Sequence, residues 1–223
     1  EQGGADQKST AIRTRAPFRS DQVKVLTVTD IDTRYQRRLQ SLPQLCGLIT
    51  DLQRARQGRY LVALPSYEYL DHLSRSPDKP ANFIAQSPAM DEDEQLALLE
   101  QFQQSPTAVL GIVMGGVFAE SVDLGTSTVA GVVAVSLGLP PTNLIRSLSV
   151  DYLNGAEGVG WGEQIAYLQP AMTRVVQAAG RLIRGPRDKG VICLVDPRFA
   201  DPTIAKFFPE HWQPEKMSAN RVE

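Results

Sequence analysis

AVLGIVM, residues 108–114, is a run of seven residues without a charged or polar side chain. It is too short for a helix that stands alone and too continuous for a strand with one face in water. It therefore reads as a central strand of a parallel sheet covered on both sides. GVVAVS (131–136) and VICLV (191–195) have the same character. Further out, VKVLTV (23–28) and YLVAL (60–64) read as strands from their β-branched and apolar content, and a short strand is expected across residues 82–86.

Helical patterns fill the gaps between these runs. Leu45, Leu48, Ile49 and Leu52 recur at steps of three and four, with Ser41 placed to cap the helix, Pro43 in its early turn and Gly58 as its stop. PSYEYLDHL (65–73) starts a second helix. In MDEDEQLALLEQF (90–102), acidic residues meet the positive end of a third helix, ahead of Leu96, Leu98, Leu99 and Phe102. Residues 170–184 form a fourth, while LPPTN (139–143) and DPRFADP (196–202) break elements. Strands alternating with helices, without internal repeats, predict an α/β fold: an open, mostly parallel sheet with helices on both faces, hence three layers. In such sheets, ligands gather beyond the carboxyl ends of the strands. The expected organisation is a linker or tail over 1–20, one domain over 21–210 and a tail over 211–223.

Composition narrows the function. With 23 Lys and Arg against 25 Asp and Glu, the net charge of -2 leaves room only for a local basic strip rather than a surface that attracts polyanions everywhere. Cys46 and Cys193 are the only cysteines and lie far apart, so a disulfide scaffold or a Cys-rich metal site is not indicated; both are expected in the core. His72 and His211 stand outside any ligand pattern, and no metal site is expected. No run reaches the roughly 18 apolar residues of a membrane span, and the expectation is a cytoplasmic protein. GGADQKST (3–10) has a lysine before a hydroxyl, but Gln7 stands where a phosphate loop needs glycine.

Three places carry chemistry. Ser66 and Tyr67 follow the YLVAL strand directly; the hydroxyl and ring can touch a phosphate and a base, and Ser66 can equally cap the next helix. In MGGVFAESVDL (114–124), Gly115 and Gly116 let backbone approach a ligand, while Glu120 and Asp123 can accept hydrogen bonds from a ribose or a base amine, or hold a basic residue. A glycine turn with solvated acids fits the same residues. In QAAGRLIR (177–184), a helix carried through the segment would align Gln177, Arg181 and Arg184. Guanidinium groups there suit phosphate oxygens, although ordinary surface arginines have this spacing too. No lysine loop and no aspartates clearly placed for magnesium accompany them, so the chain reads as half of a nucleotide site.

GRYLVALPSYEYL (58–70), VLGIVMGGVFAESVDL (109–124) and YLQPAMTRVVQAAGRLIRGPRDKGVICLVDPRF (167–199) resemble, in that order, the second motor domain of superfamily 2 DNA helicases of the XPD/DinG type. The resemblance implies a RecA-like domain that closes over ATP held chiefly by a first motor domain and grips single-stranded DNA. It implies that Arg181 and Arg184 are sensing and finger residues, with Gln177 beside the γ-phosphate. Gly116, Glu120 and Asp123 fall in the motif that relays nucleotide state, and Ser66 and Tyr67 in the strand-contacting turn. ATP and Mg2+ would belong to the full-length protein, as would any iron-sulfur cluster, with none in this chain. Ser121 departs from the glycine usual at its position. The expected partners are the first motor domain and single-stranded DNA, with no membrane and no obligate oligomer. The expected chain is a fragment of a longer helicase, incomplete on its own. The other reading is a non-catalytic RecA-like module that docks a separate ATP-binding partner.

Overall fold

The computed structural model describes residues 19–120, 129–183, 185 and 187–219. Seven strands form one sheet: β1 (Val23–Val28), β2 (Arg59–Leu64), β3 (Phe83–Ala85), β4 (Val109–Val113), β5 (Val129–Val135), β6 (Gly190–Val195) and β7 (Pro214–Met217). Their order is β3-β4-β2-β5-β6-β1-β7. Every pairing among the described strands is parallel, with β2 held between β4 and β5, and β6 between β5 and β1.

The continuous apolar runs are explained by two cores, one on each face. Along β2, Leu61 and Ala63 enter one core, while Tyr60, Val62 and Leu64 enter the other. β6 divides in the same way, with Ile192 and Leu194 on one face and Cys193 and Val195 on the opposite face. Because side chains alternate across a strand, only a sheet covered twice needs both sets to be apolar. Helices α1 (Leu42–Ala55) and α2 (Tyr67–Arg75) cover the second face; α3 (Glu92–Gln104), α4 (Val117–Glu120) and, later in the chain, α7 (Gln169–Gly180) cover the first. The result is the expected three-layer α/β architecture of a RecA-like domain.

Local chemistry sets most boundaries. Asp91 accepts from the Glu94 backbone at 2.8 Å and Glu94 returns the bond to Asp91, a reciprocal cap at the head of α3. Gly58 takes φ +148°, just past the end of α1. Two expectations change in detail. Ser41 does not cap α1 with its side chain; it is buried and donates instead to the Asp32 carbonyl at 2.7 Å. Leu96 stays exposed while Leu98, Leu99 and Phe102 turn inward.

Two elements fall where no regular structure was expected. β7 lies within the presumed tail; as an edge strand it needs no apolar alternation, and its sequence PEKM is largely exposed. Its Glu215 pairs with Lys24 at 3.3 Å. α5 (Leu144–Glu157), capped by Asn143 through Arg146 N at 2.9 Å, has no buried residue and leaves Leu144, Ile145, Leu148 and Tyr152 exposed. A short helix α6 (Trp161–Glu163) and a π-helical turn (Gln164–Leu168) then lead into α7. Among the described residues, no helix is long and apolar enough to cross a membrane.

At the carboxyl ends of β1, β5 and β6, a buried network fastens the edge of the sheet. Asp196 is fully buried and accepts from Arg198 Nε at 2.7 Å, Arg198 Nη2 at 2.8 Å and the Thr33 hydroxyl. Arg198 Nη2 also donates to Ser136 Oγ at 3.1 Å. Ser136 has φ +71°, a left-handed conformation that few residues other than glycine adopt.

Two outcomes follow. Asp196→Ala strands the Arg198 guanidinium and the Thr33 hydroxyl, and urea unfolding should register a loss of about 3 kcal/mol, the low end for a broken buried pair because Arg198 still reaches water. Cys46 and Cys193 are both buried, and burial pushes the Cys193 thiol up to about 12. Ellman's reagent should therefore label neither thiol in the folded chain and both after denaturation.

Candidate functional site

The loop after β4 is the centre of the site. Gly115 sits at φ +75°, and a Cβ there would come within 2.8 Å of Arg174 Nε. Glycine suits both the left-handed backbone conformation and the close approach of the Arg174 side chain. Gly116 donates its amide to the Val113 carbonyl at 3.0 Å, and its carbonyl accepts from Ala119 N at 2.9 Å. These bonds shape the turn into α4.

Helix α7 grips this loop at two points. Arg174 lies against Gly115, and Arg181 donates from Nε at 3.0 Å and from Nη2 at 2.7 Å to the Ala119 carbonyl. Residues 174 and 181 are seven apart, two helical turns, so both guanidinium groups leave the same side of α7. Of the expected alignment of Gln177, Arg181 and Arg184, the last residue lies outside the described residues. The helix expected over 170–184 ends at Gly180, with Arg181 as its C-cap residue. The reason is local: Gly180 is a weak helix former and the chain must turn into β6, where Gly190 packs against Leu182. Gln177 is exposed on α7. Arg174 went unnoticed in the sequence, although its spacing to Arg181 was legible there.

On the other side of the loop is the strand-end turn. Ser66 caps α2, its hydroxyl accepting from Tyr69 N at 3.3 Å, so the capping alternative is realised. Tyr67 keeps its ring exposed, and its hydroxyl accepts from Gln86 Nε2 at 2.8 Å. Gln86 is buried, and its Nε2 lies 3.4 Å from where a Gly116 Cβ would stand. One amide thus joins the Tyr67 turn to the glycine loop. Its Oε1 is buried without a hydrogen-bond partner among the described residues. Gln86 had no signal in the sequence, where it stands only as the last residue of the short strand expected across 82–86.

Among the expected site residues, the structure therefore brings Tyr67 and Gly116 to a common neighbour and ties Arg181 to the same loop. Asp123 and Arg184 lie outside the described residues, as does Ser121, and only the backbone of Glu120 is described. Among the described residues, no three His, Cys, Asp or Glu side chains gather in a way that could hold a metal ion.

Comparison with known proteins shows the family and the fold. The sequence model of the helicase C-terminal domain matches residues 49–215. The chain is 30% identical over 206 residues to a Methanocaldococcus jannaschii protein named as a probable ATP-dependent helicase, covering 83% of this chain and 30% of that protein. It is 26% identical over 177 residues to the ATP-dependent DNA helicase XPD of Sulfolobus acidocaldarius, covering 76% of this chain and 30% of that protein. The fold is similar to a solved XPD helicase with a TM-score of 0.67 at 22% identity, across 87% of this chain and 35% of the other. The chain thus spans less than a third of the length of these curated relatives. From the match across the strand-end turn, the glycine loop and the arginine-bearing helix, the chain belongs to the helicase C-terminal domain family, as a second motor domain of the XPD/DinG type.

Proposed function

We propose that this domain completes the ATP site of a DNA helicase with its arginines and contacts single-stranded DNA at the carboxyl edge of its sheet. The observation that carries the reading is the grip of Arg181 on the Ala119 carbonyl. This bond links the helix that would face ATP to the loop that borders the strand-end turn.

The chemistry is that of a donor exchanging partners. A guanidinium group binds phosphate oxygens more strongly than a neutral carbonyl, because the hydrogen bond to an anion is charge-assisted. When the domains close on ATP, Arg181 would trade the Ala119 carbonyl for a phosphate oxygen. The 115–119 turn, relieved of one anchor, would shift beside Gln86 and so move the Tyr67 ring. Hydrolysis removes the phosphate and restores the resting grip, which makes the turn an element with two arrangements biased by nucleotide. Gln177, Arg184, Glu120 and Asp123 belong to the same proposal as partners of nucleotide or arginine. The phosphate loop and the magnesium ligands would come from the first motor domain.

Two measurements test this reading. In the chain joined to its first motor domain, Arg181→Ala should cut DNA-stimulated ATP hydrolysis by about two orders of magnitude or more. Unchanged turnover would remove Arg181 from the reaction and favour a docking module without catalytic residues. The 223-residue chain by itself should show no magnesium-dependent hydrolysis. Tyr67→Ala should weaken oligo(dT) binding about 5- to 100-fold if a base stacks on the ring; an unchanged Kd would return Tyr67 to a structural role.

A further inference from the structure

The connection from β1 to α1 does not take the short way round. Thr33 is bonded to Asp196 after β6, and five residues later Arg38 reaches Ser66 Oγ at 3.5 Å and Glu68 at 3.7 Å beyond β2. Since β5 and β6 lie between β1 and β2, this segment runs across the carboxyl edge of the sheet. It carries Arg34, Tyr35, Arg37 and Arg38 within five residues. The chain as a whole has a net charge of -2, so this is a local concentration of positive charge.

The side chains are arranged in two tiers. Arg38 is the lower one: its side chain is only 13% exposed and its guanidinium carbon lies 4.3 Å from the centroid of the Tyr35 ring and 5.2 Å from that of buried Tyr69. Tyr35 is the upper one, 69% exposed, with its ring backed by a cation. An exposed ring held this way fills no core. Arg34 is paired with Asp32 at 2.6 Å. Arg37, among the described residues, bonds to the neutral amide of Gln40 at 3.3 Å, with no ion pair. Backbone bonds from Arg37 N and Arg38 N to the Arg34 carbonyl, at 2.8 and 2.9 Å, hold the turn that presents them.

We infer that residues 33–38 form a second strand-binding element, with the Tyr35 ring as a stacking platform for a base and Arg37 as a phosphate contact. An exposed aromatic face beside positive charge is what a single strand requires, because every base has a π-face and every linkage a charge. Arg38 makes the element continuous with the Ser66–Tyr67 turn, so Tyr35 and Tyr67 would take bases of one strand. The inference rests on the strand-binding part of the proposed function and extends it to a segment outside the three motifs.

The test is fluorescence anisotropy of labelled oligo(dT) with the 223-residue chain and four variants: Tyr35→Ala, Tyr35→Phe, Arg37→Ala and Tyr67→Ala. Tyr35→Ala should weaken binding about 5- to 100-fold and Tyr35→Phe should bind like the parent, since stacking needs the ring and not the hydroxyl. Arg37→Ala should lower the slope of log Kd against log salt by about 0.7, as for one lost phosphate contact on a single strand. Urea midpoints close to the parent's would place these changes in binding rather than folding. Loss with Tyr67→Ala alone, and parental binding by Tyr35→Ala and Arg37→Ala, would overturn the inference and leave the strand-binding reading standing. No oligo(dT) binding by the parent chain would overturn both.

Discussion

Parallel strand pairing is the constraint from which the rest follows. A parallel sheet has to return the chain after every strand, so each crossover needs a helix or long connection, and the strands' carboxyl ends all open on one edge. Here the helices bury both faces, which leaves that edge as the place where loops and side chains meet. The Tyr67 turn, Gln86, the glycine loop, Ser136, Asp196 and the 33–38 connection all lie there because of this geometry, not because they are near in sequence.

Polar anchors then keep the edge in order. Asp196 ties the ends of β1, β5 and β6 through Thr33, Ser136 and Arg198. Gln86 ties the turn after β2 to the loop after β4. Both are buried polar groups, and such groups cost stability unless bonded, so each restricts its surroundings to few arrangements. Gln86 is the less complete of the two, since its Oε1 lacks a partner among the described residues. Helix α7 approaches the same turn from the side of the other core and holds it with two arginines. The loop after β4 therefore lies beside Gln86, which bonds to the strand-end turn, and is bonded to Arg181 of the helix at once.

Much of this was legible in the residues. Six of the seven strands stood out, the central ones because a doubly covered strand is apolar on both faces and the others by their β-branched and apolar content. The helix start at Ser66 was legible because capping is a local reaction between one side chain and the next turn's amides, and that of the third helix because acidic residues meet its positive end. β7 was not, because an edge strand with polar side chains differs from a loop only by the neighbour it pairs with. Of the site, the glycine loop and Arg181 were visible as motifs, and Ser66 and Tyr67 by their place after a strand. The end of α7 at Gly180, short of the expected 184, was not legible, because the need to enter β6 prevails over periodicity there.

The sequence by itself determined the sheet, its two cores, the family to which the domain belongs and the residue types available for phosphate and strand. Those depend on local pattern: alternation, caps and short motifs. Tertiary structure alone decided who meets whom. Arg174 reaches Gly115, Gln86 reaches Tyr67, and Arg38 crosses from the end of β1 to the turn after β2, each across 19 to 59 positions of chain or, for Arg38 and Ser66, 28. No periodicity encodes such contacts, because they arise from the order in which parallel strands line up, and that order is set by the packing of the whole domain.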